Sequence, residues 1–311
     1  MQAKRNPLTE RVLFVGAPFL FQPQRKWDEK TIMSNELLHQ IDRIIQKRPM
    51  YKEALSVYRD IVIFLNEIKP EIKYEVKDEV IGEIKVKEGF PLFSREDLPL
   101  DLKAASSLFK RLLEHLSSKK RKDKEALERA LSKAQANPGW LKNLITAFLS
   151  RDETALTSMA QEVNLDPMVI KFLTHIALKP SLKSLKESAG EKIKKDGWNY
   201  GYCPLCGSYP DMAYLGEQGK RFLHCELCGY EWYYPRLKCP FCKNDQPKKL
   251  GYFVSEEEEG FRVDFCKKCR RYIKTLDMRV IEQPAPLELE NLITLHLDML
   301  AHEQGFKTPS P

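Results

Sequence analysis

A chain of 311 residues, 42% apolar and 31% charged, has core material for two domains. It has no apolar run of about 18 residues, so no membrane-spanning helix is expected. The net charge of +7 is uneven: residues 197–311 carry 15 Lys/Arg and 16 Asp/Glu, so the basic excess lies in the N-terminal two-thirds.

The first 21 residues combine charges with a short apolar run, but Pro18 interrupts the run and no small-residue cleavage site follows. The reading is mature chain rather than signal peptide. Residues 1–196 then read as a helical domain. Leu37, Leu38, Ile41, Ile44 and Ile45 recur at helical spacing, as do Leu55, Tyr58, Ile61, Val62 and Leu65. Residues 72–86 alternate apolar and charged, which leaves a small hairpin open. Ser94 to Asp97 resembles a capping box ahead of the helix carrying Leu108, Phe109, Leu112, Leu113 and Leu116. Further helices are expected at about 123–136, 139–150, 153–163 and 167–178, the last stopped by Lys179-Pro180. The basic run 119–124 reads as a solvated loop, and His39, His115 and His175 as surface or packed histidines.

From Trp198 the texture changes to short strands and turns. Residues 210–215 and 220–225 flank a GEQG turn, and 250–255 and 260–265 flank an acidic turn; both read as hairpins. A helix with Leu289, Leu292, Ile293, His296, Met299 and Leu300 on one face closes the chain. The fold class is therefore α+β. An all-helical domain (1–196) is followed by two four-cysteine modules (197–238 and 239–280) and a C-terminal helix and tail (281–311).

All eight cysteines fall in four C-x-x-C pairs, with none left over. Without a signal peptide, that pattern points to metal binding in the cytoplasm rather than to disulfides. Four thiolates at tetrahedral geometry suit zinc or iron alike. The order knuckle, strand, turn, strand, knuckle, strand begins at Cys203 and recurs 36 residues on at Cys239. This repeat favours sequential pairing over nested or cross-braced pairing. Site one is then Cys203, Cys206, Cys225 and Cys228, and site two is Cys239, Cys242, Cys266 and Cys269. Closed four-sulfur sites leave no position for a reactive water, so a metallohydrolase is not expected. The segment Trp232, Tyr233, Tyr234 and Arg236 bridges the modules as a hinge, and is the candidate for partner contact. Strand alternation would bury either Trp232 and Tyr234 or Tyr233. Gly207 and Gly229 follow the second cysteine of each knuckle in the first module, where the second module has Lys243 and Arg270. The second site is expected to hold its metal less tightly.

The combined pattern resembles one family, the formate dehydrogenase accessory proteins called FdhE. The likeness lies in residues 202–208, 221–228, Glu231-Trp232, 236–239, Cys242, Cys266, Cys269, 272–274, 292–298 and 305–306. It departs in lacking a glycine after Cys269 and in the C-terminal tail. The resemblance implies a cytoplasmic maturation factor that is not an enzyme and that contacts the molybdenum- or tungsten-bearing catalytic subunit of formate dehydrogenase. It implies rubredoxin-like, zinc-ribbon-like modules, with iron as the suggested metal. A redox-responsive metal–thiolate regulator is the alternative. A nucleic-acid reader fits less well, because such ribbons carry their own basic excess and residues 197–311 do not.

Overall fold

The computed structural model describes residues 35–68, 88–190, 193, 198–255, 258–281 and 284–308. The first 34 residues and the possible hairpin at 72–86 lie outside that set.

Two helices, α1 (Asn35–Lys47) and α2 (Lys52–Ile68), form an N-terminal hairpin. Their buried Leu37, Ile41, Leu55, Tyr58 and Val62 pack on Ala285, Leu289 and Ile293 near the C-terminus. Five helices follow: α3 (Leu102–Ser117), α4 (Lys124–Ala136), α5 (Pro138–Ser150), α6 (Glu153–Glu162) and α7 (Pro167–Gly190). Side-chain caps start several of them. Asp101 accepts from the Ala104 N–H at 2.9 Å, Asn137 from Gly139 at 3.0 Å and Asp152 from Ala155 at 2.9 Å. The Ser94–Asp97 signal is real but marks a separate turn. The Ser94 hydroxyl donates to Asp97 and accepts its N–H, while the helix starts seven residues later at its own cap, Asp101.

Helix α7 does not stop at Pro180. It runs through that residue to Gly190 and buries Leu182, Leu185 and Ala189 beyond it. An interior proline costs about 3 kcal/mol. Burying two leucines returns roughly 1.5–3 kcal/mol each, which is enough to carry the helix on.

Six strands among the described residues form one sheet: β1 (Pro210–Leu215), β2 (Arg221–Cys225), β3 (Glu231–Tyr233), β4 (Leu250–Phe253), β5 (Phe261–Cys266) and β6 (Tyr272–Asp277). Their order is β3-β2-β1-β6-β5-β4. Each half is an antiparallel three-strand unit, and β1 pairs parallel with β6 from Met212↔Lys274 to Leu215↔Asp277. The two halves therefore share a continuous sheet. One face presents Ala213, Leu223, Trp232 and Ile273 to α7 and the knuckles. The other presents Met212, Tyr214, Val263 and Tyr272 to the C-terminal helices.

The single C-terminal helix expected from the periodicity is two: α8 (Leu287–Leu292) and α9 (Leu295–Glu303). The break has a specific cause. The Lys274 ammonium, on a side chain 2% exposed, binds the carbonyls of Asn291 (2.8 Å) and Thr294 (3.4 Å) and the Asp298 carboxylate (2.6 Å). The Thr294 hydroxyl takes the Glu290 carbonyl at 2.6 Å. These bonds replace helix hydrogen bonds across 290–294. Leu289, Ile293, Leu297 and Ala301 are the buried series, whereas Met299 and Leu300 face outward.

Candidate metal centres

Each C-x-x-C pair is folded into the same knuckle. The residue after the second cysteine donates its N–H back to the carbonyl of the first: Gly207 to Cys203 (2.9 Å), Gly229 to Cys225 (3.1 Å), Lys243 to Cys239 (3.0 Å) and Arg270 to Cys266 (2.8 Å). The N–H of each first cysteine donates to the carbonyl five residues on, in Ser208, Tyr230, Asn244 and Arg271, at 2.8–3.0 Å. Closing this loop needs a left-handed residue. Gly207 (φ 71°) and Gly229 (φ 66°) adopt it without a Cβ penalty, and Lys243 (φ 57°) and Arg270 (φ 60°) adopt it despite one.

The knuckles meet in two groups, Cys203/Cys206/Cys225/Cys228 and Cys239/Cys242/Cys266/Cys269, each with its four sulfurs within 4.8 Å of one another. The grouping is sequential, and a hairpin closes each unit: β1–β2 for the first and β4–β5 for the second. Sulfur contacts are 3.4 Å for Cys206–Cys225, 3.6 Å for Cys206–Cys228, and 3.7 Å for Cys203–Cys228, Cys239–Cys269 and Cys242–Cys266. These separations are too long for disulfides, whose S–S bond is about 2.05 Å. They match the edge of a tetrahedron with a metal–sulfur bond of about 2.3 Å, which is about 3.8 Å. Either group can hold one tetrahedral ion, and four thiolates of this kind suit iron and zinc equally.

Burial separates the groups. All four cysteines of the first are buried, whereas Cys242 and Cys269 of the second are half-buried. Burial pushes the Cys203 and Cys225 thiols well above the ordinary range. Burial also opposes ionisation of Cys206, but hydrogen bonds to Cys203, Cys225, Cys228 and Ser208 outweigh it and hold that thiol well below the ordinary value. A metal entering the first group must therefore displace protons from deeply buried sulfur.

The helical region seals the first group. Leu92 and Phe93 donate their N–H groups to the carbonyls of Pro204 (2.8 Å) and Leu205 (3.0 Å) inside the first knuckle. The Arg95 guanidinium donates to the carbonyls of Leu149 (2.8 Å) and Phe148 (3.2 Å), the Ser208 hydroxyl (3.0 Å) and the Glu226 carboxylate (2.8 Å). Arg151 also pairs with Glu226. This clamp was not visible in the sequence, because its members are 53 to 131 residues apart from Arg95 and carry no local signature.

The bridge between the modules is not a free hinge. Trp232 and Tyr234 are buried: the indole donates to the Tyr200 carbonyl at 3.1 Å, and the Tyr234 hydroxyl to the Cys239 carbonyl at 3.1 Å. The Arg221 guanidinium holds the bridge through the Pro235 (2.6 Å) and Lys238 (2.5 Å) carbonyls. Trp232 and Tyr234 are thus core residues and are withdrawn as partner anchors. Tyr233, 47% exposed, and Arg236, also exposed, keep free surface. Among the other histidines, His175 is enclosed beside the Leu227 carbonyl (2.9 Å) and His115 stacks on Phe64.

Comparison with known proteins agrees with this architecture. A family model described as "FdhE, central domain" matches residues 202–236, the first module together with the bridge residues 232–236. The chain is 34% identical over 156 residues to an FdhE homolog of Aquifex aeolicus, covering 49% of this chain and 54% of that protein. It is 35% identical over 113 residues to FdhE of Escherichia coli O1:K1, covering 35% and 36%. The chain thus spans about half the length, or less, of the curated relatives it matches. The crystal structure of the FdhE protein from Pseudomonas aeruginosa has the same fold, with a TM-score of 0.67 over 93% of this chain and 97% of that one at 22% identity. The central-domain match and the curated relatives make this chain similar to FdhE proteins over part of its length, and the solved structure shows that it shares the FdhE fold.

Proposed function

We propose that this protein is a cytoplasmic accessory factor for formate dehydrogenase maturation, not itself an enzyme, and that it binds the catalytic subunit of that enzyme. The observation carrying the reading is the pair of closed four-sulfur groups within an FdhE fold. Each group holds one iron or zinc ion through its four cysteines: Cys203, Cys206, Cys225 and Cys228 in one, Cys239, Cys242, Cys266 and Cys269 in the other. With every coordination position filled by sulfur, such an ion cross-links strands and offers no place for substrate. No described helix is long and apolar enough to cross a membrane.

Anaerobic purification from cells grown with formate, followed by metal analysis and identification of copurifying chains, tests this. A molybdenum- or tungsten-containing oxidoreductase subunit is expected, with two metal ions per chain. If no such subunit copurifies under several growth conditions, the reading is wrong.

The half-buried Cys242 and Cys269 favour a second, compatible reading in which oxidation at site two releases metal and partner. Thiol titration and metal content before and after peroxide would show selective loss at site two. Equal resistance of both sites would dismiss it.

A further inference from the structure

The two cysteine groups share one backbone design but stand in different electrostatic surroundings. Residues 203–208 and 225–230 contain one charge, Glu226, which Arg95 and Arg151 already neutralise. The equivalent residues 239–244 and 266–271 contain Lys243, Lys267, Lys268, Arg270 and Arg271, and no acid. The fold adds more. The Lys267 N–H donates to the Lys249 carbonyl at 2.8 Å, which brings Lys248 and Lys249 alongside. The Lys307 N–H donates to the Arg270 carbonyl at 2.7 Å, which adds that lysine too. All of these except the half-buried Arg271 are exposed, and the half-exposed thiols of Cys242 and Cys269 lie among them. The near-neutral count of residues 197–311 concealed this segregation of charge.

A divalent ion in four thiolates carries a net charge of about −2, so two cations would balance it. The rim holds several more, with Asp245 the one acid in segments 239–249 and 266–271. Like charges crowded at one end repel each other, and the potential they create attracts an oppositely charged partner. The rings at this end are poor platforms for stacked bases. Lys243 covers Tyr200 at 4.5 Å, Arg271 covers Phe241 at 5.9 Å, and Phe306 is buried under Arg270 at 4.9 Å. Carboxylates need no such platform, whereas single-stranded nucleic acid binding depends on it.

We propose that the basic rim of site two, centred on Lys248, Lys267 and Lys268, is the docking surface for an acidic segment of a partner protein. If the accessory role above is right, that segment belongs to the formate dehydrogenase subunit, and the proposal rests on that reading for the partner's identity only.

The test uses the full metal-loaded chain and a fluorescent glutamate-rich peptide of about twenty residues, read by anisotropy across salt concentrations. The triple variant Lys248→Glu/Lys267→Glu/Lys268→Glu should weaken binding about tenfold or more and flatten its salt dependence. A control triple, Lys103→Glu/Lys110→Glu/Lys142→Glu on the helical region, should stay within about twofold. Metal content reports on folding, and if the reversal triple loses metal, the Lys→Gln triple at the same positions replaces it. Equal peptide affinity of rim variant and parent would overturn the proposal. So would displacement of the peptide by a single-stranded oligonucleotide of equal charge at lower concentration. In cells, the dehydrogenase subunit should copurify with the parent and not with the rim variant, and equal copurification would sink the proposal. If the parent captures no such subunit, the accessory role fails, while the peptide titration still decides the rim.

Discussion

At the scale of single residues, two enclosed ionisable side chains have testable consequences for stability. Arg95 is one, and all three nitrogens of its guanidinium donate, to two helix-end carbonyls, Ser208 and Glu226. Burial lowers its pKa, with Glu226 acting in the other direction, yet an arginine stays charged in any case. Truncating it strands Glu226 with Arg151 alone and leaves the Leu149 carbonyl without this donor. Arg95→Ala should cost about 2–4 kcal/mol in thermal unfolding. Arg95→Lys should recover only part, because an ammonium cannot reproduce the fork. A loss under about 0.5 kcal/mol would show the clamp to be incidental. Glu290 is the other. Burial raises its pKa from 4.5 to about 7, with Glu258 adding to the effect, while the Ala285 N–H and Arg48 oppose it. A carboxyl whose folded pKa lies above its unfolded one binds more protons when folded. Its contribution is fully present below pH 4.5 and is lost as pH rises through about 7. Across that window the parent should lose about 3 kcal/mol relative to Glu290→Gln. Chemical unfolding of both at pH 5 and pH 8 checks this, and a pH-independent difference would refute it.

At the scale of elements, the sequence is legible where the rule is local and opaque where it is not. Helices α3 to α6 begin and end within a residue or so of their caps, because Asp101, Asn137 and Asp152 signal starts through their own side chains. Both hairpins were readable from alternation and turn composition. Three features were not. Pro180 is a local stop signal overridden by burial of Leu182 and Leu185. The break between α8 and α9 is imposed by Lys274, a residue of the sheet. The parallel β1–β6 pairing joins strands with no sequence relation beyond both being buried. The cysteine groups were legible because C-x-x-C spacing dictates the knuckle, but the clamp and the basic rim needed the fold. Helix α7 continues through Pro180. If tertiary burial alone carries α7 past it, Pro180→Ala restores a backbone donor with no loss of packing. It should then stabilise the protein by about 1 kcal/mol or more. A destabilised variant would mean that the proline shapes the helix where it meets the sheet.

At the scale of the whole molecule, the shared sheet decides how far the two cysteine groups act as one. Site one ends β2 at Cys225 and site two ends β5 at Cys266, with β1 and β6 paired between them. Two independent ribbons would lose their metals independently. In this fold, loosening the second unit removes the β6 partner of β1, and with it one support of the first hairpin. The half-buried Cys242 and Cys269 give a chelator access to site two, while Arg95 and the 92–93 backbone cover site one. The metal-loaded protein treated with a chromogenic chelator should therefore release metal in two phases of equal amplitude, site two first. In Cys242→Ser/Cys269→Ser the fast phase should vanish. The remaining phase should run several-fold faster than the slow phase of the parent, since local opening at site one no longer works against an intact neighbour. An unchanged slow phase in that variant would show two uncoupled modules. A single phase in the parent would show that exposure of the thiols does not set the order of release.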